Sequence, residues 1–156
     1  MTIKNILTAY GDWYHRRNGI AVTFVANQDW SKSTFESRLK TFHETVDRRR
    51  LGGRFYSKQA DVRLDFMVAP EMFGCGHPHY HGFLSLPDDD LAKYGRDGTM
   101  RLYEATWRML TPSGSLLCAD LIPDKLGTWA EYCSKENDLA ECPDTIWSRA
   151  RFVGNR

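Results

Sequence analysis

No stretch of this sequence stays apolar for anything near the roughly 20 residues that cross a bilayer, which excludes a helical membrane span. Met1 to Tyr14 also lacks the long apolar run and small-residue cleavage site of a secretory leader, so a soluble intracellular protein is expected. Close cysteine pairs are missing: Cys75, Cys118, Cys133 and Cys142 do not have the paired spacing of a zinc ribbon, and free thiols are expected. Internal repeats, linkers and low-complexity segments are absent as well. What remains is a chain of 156 residues, 42% hydrophobic, expected to form one domain (residues 1–156) with a core that needs no staple.

The net charge of +1 does not by itself suggest a nucleic-acid partner, but its distribution is uneven. Residues 1–60 hold 11 lysines and arginines against 5 acids, whereas residues 61–156 hold 10 against 15. Arg16-Arg17 and Arg48-Arg49-Arg50, with Arg54 and Lys58 close behind, are candidates for a phosphate-facing surface. A solvated helix C-terminus would account for the same cluster.

In chain order, helical and strand patterns alternate. Ile3, Ile6, Leu7, Tyr10, Trp13 and Tyr14 recur at helical spacing and stop near Asn18-Gly19. Ile20 to Ala26 is short and β-branched and reads as a buried strand. Ser31 or Ser33 caps a second helix, with Phe35, Leu39, Phe42 and Val46 on one side, that runs to about Arg50. Val62 to Val68 reads as a strand closed by Ala69-Pro70-Glu71, and residues 77–86 as its antiparallel neighbour. A short helical stretch at Leu91 to Tyr94 follows the acidic triplet Asp88-Asp89-Asp90, read as its cap or as a solvated loop rather than a metal site, and Arg96-Asp97-Gly98 reads as a loop. Then come a helix from Met100 to Leu110, a strand from Leu116 to Ile122 and a helix from about Lys125 to Asn137; the tail beyond Cys142 is ambiguous. The order fits an α+β fold, a central antiparallel sheet of about five strands with helices on one face, ferredoxin- or RRM-like, and the histidines on the exposed face.

Three of the five histidines lie in His77-Pro78-His79-Tyr80-His81. In a strand, side chains two apart share a face, so His79 and His81 project together, with His77 beside them if the strand begins that early. Two imidazoles suit a divalent ion, and a third ligand is normally needed. Glu71, at the end of the preceding strand, is the first candidate, and Cys75 and His77 are its rivals. A thiolate would favour zinc, a carboxylate magnesium or manganese. Without a metal, the histidines would hydrogen-bond on an exposed strand face.

A second constellation is Trp129-Ala130-Glu131-Tyr132-Cys133-Ser134-Lys135-Glu136. Tyr132 and Lys135, three apart on the expected helix, share a face, where an ammonium favours the phenolate. This pair is a candidate nucleophile with its partner, or a packed aromatic beside a surface lysine.

Together these stretches resemble the HUH endonucleases, and within them the nuclease domain of replication-initiator (Rep) proteins of small rolling-circle single-stranded DNA replicons. Val22-Thr23-Phe24-Val25-Ala26-Asn27 is similar to the loose first motif, His79-Tyr80-His81 to the second, and Tyr132-Cys133-Ser134-Lys135-Glu136 to the single-tyrosine third. The resemblance implies a divalent ion, Mn2+ or Mg2+, held by His79, His81 and Glu71, with His77 as a possible extra ligand. It implies attack by Tyr132 on DNA to give a 5′-phosphotyrosine and a free 3′ hydroxyl, with Lys135 steadying the phenolate or phosphate. The implied substrate is single-stranded DNA at an origin stem-loop, met by basic and aromatic surface. Arg16, Arg17, Arg48, Arg49, Arg50, Arg54 and Tyr56 are the candidates, with Trp30 and Phe55. The implied compartment is the cytoplasm of a bacterium or, for a eukaryotic virus, the host nucleus.

The sequence departs from the viral pattern in His77, in Pro78 inside the motif and in the opening helix. It also has no Gly-rich phosphate loop ending in Gly-Lys-Ser/Thr, so no helicase domain is expected here, and a host or separate helicase would be a partner. A transposase- or relaxase-type strand transferase stays open on the same residues. So do a non-catalytic nucleic-acid-binding domain with a structural zinc and a metal-dependent hydrolase that uses water.

Overall fold

The computed structural model describes residues 3–71, 77–133 and 144–153. Among these residues five strands form one sheet: β1 (Gly19–Val25), β2 (Asp65–Glu71), β3 (His79–Ser85), β4 (Ser115–Asp120) and β5 (Ile146–Trp147). Their order is β4-β1-β3-β2-β5 with every neighbouring pair antiparallel. Among the described residues, four α-helices complete the α+β fold: α1 (Ile3–His15), α2 (Lys32–Leu51), α3 (Asp88–Leu110) and α4 (Leu126–Cys133).

Alternation along the strands sorts side chains into two layers. On one face Ile20, Val22 and Phe24 of β1, Phe66 and Val68 of β2, and Tyr80 and Leu84 of β3 bury against α2 and α3. The α2 stripe Phe35, Leu39, Phe42 and Val46 and the α3 residues Tyr103 and Trp107 supply the other half of this core. Ser31 caps α2, its Oγ accepting from the Thr34 N–H at 3.2 Å.

The expectation that helices cover a single face needs correction. α1 and α4 lie on the opposite side, because α1 carries its own apolar stripe and because Met67 and Phe83 offer it an apolar bed. Tyr14 of α1 stacks on Phe83 with ring centroids 5.8 Å apart and planes at 11°. Phe83 shares a face with His79 and His81, so that face cannot stay open to solvent. Its Ser85 end lies under α1 and its His79 end beside α4.

Several boundaries also move. Ala60–Val62 forms a single 3-10 turn, so β2 starts at Asp65 rather than Val62. The short helix and second helix expected between residues 91 and 110 are both present and meet at a kink at Gly95, whose φ of 70° an L side chain would resist, while the loop expected at residues 96–98 is helical instead. Ile146–Trp147 pairs with the β2 edge, a strand too short for a periodic signal. Among the described residues no helix is long and apolar enough to cross a membrane.

Candidate active site

The strand register itself assembles the candidate metal ligands. Glu71, the last residue of β2, is the cross-strand partner of His79, and Thr23 of β1 is the partner of His81. All four therefore face the same way. Glu71 Oε2 lies 3.0 Å from His79 Nε2 and closer still to His81 Nε2. One ligand atom from each of the three residues falls within 4.8 Å of the others, and this is a buried group that could hold a metal ion. Two imidazole nitrogens and a carboxylate oxygen converging on one point suit a divalent cation. Glu71 and His81 are buried, and His79 is partly open.

The far side of each imidazole is also held. His81 Nδ1 lies 2.9 Å from Thr23 Oγ1, and His79 Nδ1 lies 2.9 Å from the His77 carbonyl oxygen. Each ring therefore turns Nε2 towards Glu71. His77, a possible extra ligand by sequence, points its side chain to solvent and contributes its backbone carbonyl instead. The expected exposed histidine face is likewise corrected, since His81 is 2% accessible. Gly82, next along β3, allows β2 to come close, because a Cβ there would sit 1.8 Å from the Met67 carbonyl oxygen. Cys75 lies outside the described residues.

Helix α4 brings Tyr132 to this group. Its Leu126, Ala130 and Cys133, spaced by four and three, are buried on the sheet side, which leaves Trp129 and Tyr132 on the flank facing β3. Trp129 Nε1–H donates to the Gly82 carbonyl at 2.9 Å and anchors the helix to the central strand. Tyr132 stacks on Trp129 with planes at 17°, and its ring centroid is 4.8 Å from that of His81. The tyrosine is 42% accessible, so one side meets the histidine and the other meets solvent. Lys135 lies outside the described residues.

The thiols near these elements stay protonated. Burial, reinforced by the Glu71 carboxylate, pushes the Cys133 thiol well above its ordinary range. Burial, with Glu104 close by, pushes Cys118 up to about 12. Both are free cysteines, as expected. An apolar groove of about 320 Å³ runs beside the site, between the β4–β1 surface and α4, walled by Ala21, Leu117, Ala119, Ile122 and Trp129.

The arginines singled out in the sequence lie elsewhere. Gly19 pairs with Ser85 at one end of the sheet and Val25 with His79 at the other, a separation of roughly 20 Å at about 3.3 Å per residue. Arg17 belongs to the Ser85 end, its carbonyl accepting from Ser85 Oγ–H at 2.8 Å, and its guanidinium covers Trp13 at 3.9 Å. Arg16 is exposed there, bonded to the Asp12 carbonyl.

The arginines closing α2 have structural partners. Arg49 grips Asp90 with two hydrogen bonds of 2.8 and 2.6 Å, and Arg50 meets Asp47 at 3.1 Å and Asp89 at 3.0 Å. The acidic triplet is thus no solvated loop. Burial pushes the Asp90 carboxyl up, but hydrogen bonds from Arg49 and Tyr103 outweigh it and hold the group below its ordinary range. Arg48 lies over Phe55, which is itself buried, while Arg54 and Tyr56 are exposed near the same helix end. Trp30 alone of the aromatic candidates follows the His79 end of β1, packed edge-on against Phe35.

Compared with protein-family models, curated proteins and solved structures, the chain matches none. Two residues at the site carry no role in the sequence reading, Thr23 and Trp129. Both left a signal. Thr23 is the one hydroxyl in the apolar run Ile20 to Ala26, and Trp129 stands one helical turn before Tyr132.

Proposed function

We propose that the protein is a site-specific endonuclease and strand transferase for single-stranded DNA, working through a 5′-phosphotyrosine, and that it initiates rolling-circle replication. The observation that carries this reading is Tyr132 against His81: a half-exposed phenol beside a buried group able to hold a cation. A metalloenzyme using water would need no tyrosine there.

Glu71, His79 and His81 would hold a divalent ion, Mn2+ or Mg2+, which when bound supplies Lewis-acid charge for a phosphate oxygen. Tyr132 Oη attacks the phosphorus as the phenol loses its proton. The P–O3′ bond breaks, O3′ takes up a proton, and the 5′ phosphate stays on the tyrosine. Attack by a 3′ hydroxyl reverses these steps and rejoins a strand without any other energy source. Trp129 holds the Tyr132 ring in place throughout. Lys135 is assigned to steadying the phosphate, and the apolar groove to unstacked bases next to it. The substrate would be an origin stem-loop, opened by a separate helicase, in a bacterial cytoplasm or a host nucleus.

The test is incubation with single-stranded oligonucleotide pools, stem-loops included, and Mn2+, followed by a denaturing gel for a covalent protein–DNA adduct. An adduct absent from Tyr132→Phe and His79→Ala supports the reading. Cleavage without an adduct would shift it to water as nucleophile. No cleavage, together with stoichiometric zinc in the purified protein, would replace it with a binding module.

A further inference from the structure

We infer that Thr23 is the positioning residue for His81: its hydroxyl fixes the imidazole so that Nε2, not Nδ1, is offered to a divalent cation. The inference rests on the reading of Glu71, His79 and His81 as a metal site. Thr23 and His81 are directly opposed across the β1–β3 ladder, and Thr23 Oγ1 lies 2.9 Å from His81 Nδ1. A neutral imidazole carries one ring proton, and a ligating nitrogen must be bare. Ligation through Nε2 therefore requires the proton on Nδ1 and an acceptor facing it. Thr23 Oγ1 is that acceptor, and His81 itself is buried.

The two histidines are held by different means. His79 is oriented by a backbone carbonyl, that of His77, which no substitution removes. His81 is oriented by a side chain, on a strand otherwise apolar from Ile20 to Ala26. A hydroxyl both donates and accepts, so Thr23 can also serve His81 when no cation is bound and Nε2–H points to Glu71. Valine has nearly the shape of threonine and a higher strand preference, so the role can be removed without disturbing the sheet.

The experiment titrates Mn2+ alone into the metal-free protein and follows the loss of free-ion signal by electron paramagnetic resonance. Wild type, Thr23→Val, Thr23→Ser and His81→Ala are compared, with thermal unfolding of the metal-free forms as the check on folding. The expected result is a loss of Mn2+ affinity of about 10- to 100-fold in Thr23→Val, with Thr23→Ser within about threefold of wild type. A second readout is the His81 Nδ1–H resonance of the Mg2+-loaded protein, protected from exchange in wild type and Thr23→Ser and lost in Thr23→Val. Wild-type affinity in Thr23→Val would overturn the inference while leaving the metal site intact. Equal weakening in Thr23→Val and Thr23→Ser would overturn it too, since the hydroxyl survives in serine. If wild type and His81→Ala both failed to bind Mn2+, the metal reading would fall and take this inference with it.

Discussion

Tyr132 and His81 meet ring against ring, centroids 4.8 Å apart and planes at 73°, one on a helix and the other on the central strand of the sheet. The contact joins the two rings, and phenylalanine keeps the ring. Tyr132→Phe should accordingly keep the packing, with unfolding free energy within about 0.5 kcal/mol of wild type in urea titrations. Mn2+ affinity should be unchanged, and only the covalent adduct should vanish. A marked fall in metal affinity in this variant would make the phenol a ligand and not a nucleophile.

Metal binding should appear as stability. An ion that binds the folded chain alone contributes RT ln(1 + [L]/Kd), about 2.7 kcal/mol at a hundredfold excess over Kd. Urea unfolding with and without Mn2+ should show this gain in wild type, its loss on adding a chelator, and little of it in His81→Ala. An equal gain in wild type and His81→Ala would place the ion elsewhere.

The Arg49–Asp90 pair gives Arg49 a structural role. Asp90 is buried and also accepts from Tyr103 Oη–H at 2.6 Å, so Asp90→Ala strands two donors and should cost about 3 kcal/mol. Asp90→Ala should leave the affinity for a short single-stranded oligonucleotide, measured by fluorescence anisotropy well below the unfolding midpoint, at its wild-type value. A drop in that affinity while the variant stays folded would tie the Arg49–Asp90 pair to oligonucleotide binding.

That pair also marks where the sequence stopped being legible. Adjacent arginines are visible as a basic cluster, but their partners lie some 40 positions later in the chain, and nothing local announces that Asp89 and Asp90 will meet them. Local patterns served best where one period governed a whole element, as in α1, β1 and α2. The alternation of His79 and His81 gave their shared face, and Glu71 was reachable because β2 and β3 are consecutive antiparallel strands. The cover over that face was not reachable. It depends on α1 and α4, separated by more than a hundred residues, packing on the Phe83 side of the sheet. Two-residue β5 carries no period at all, and it forms because Val68 and Met67 leave a pairing edge on β2.

Acid should weaken the fold through His43. This residue is fully buried, with Nε2 2.8 Å from the Leu64 carbonyl oxygen and Nδ1 3.5 Å from Asp47. Burial outweighs the pull of Asp47 and pushes its pKa down from 6.5 to about 4. The unfolded chain therefore binds a proton below pH 6.5 that the native chain refuses until about pH 4. Its contribution is complete above that window and is lost as pH falls through it, by roughly 3 kcal/mol at the lower end. Urea unfolding at pH 7, 5 and 4 should show a shallower decline in His43→Gln than in wild type. Parallel declines would assign the acid sensitivity to other groups.

The two halves of the candidate site differ in how firmly the chain holds them. His79 and His81 stand on β3, which is paired along its length to β1 on one side and β2 on the other. Tyr132 stands on a helix of eight residues, tied to that strand through the Trp129 indole. Two strand ladders fix the bed and a single indole hydrogen bond steadies the arm, so a change at Trp129 should disturb the placement of Tyr132 while Glu71, His79 and His81 keep their arrangement.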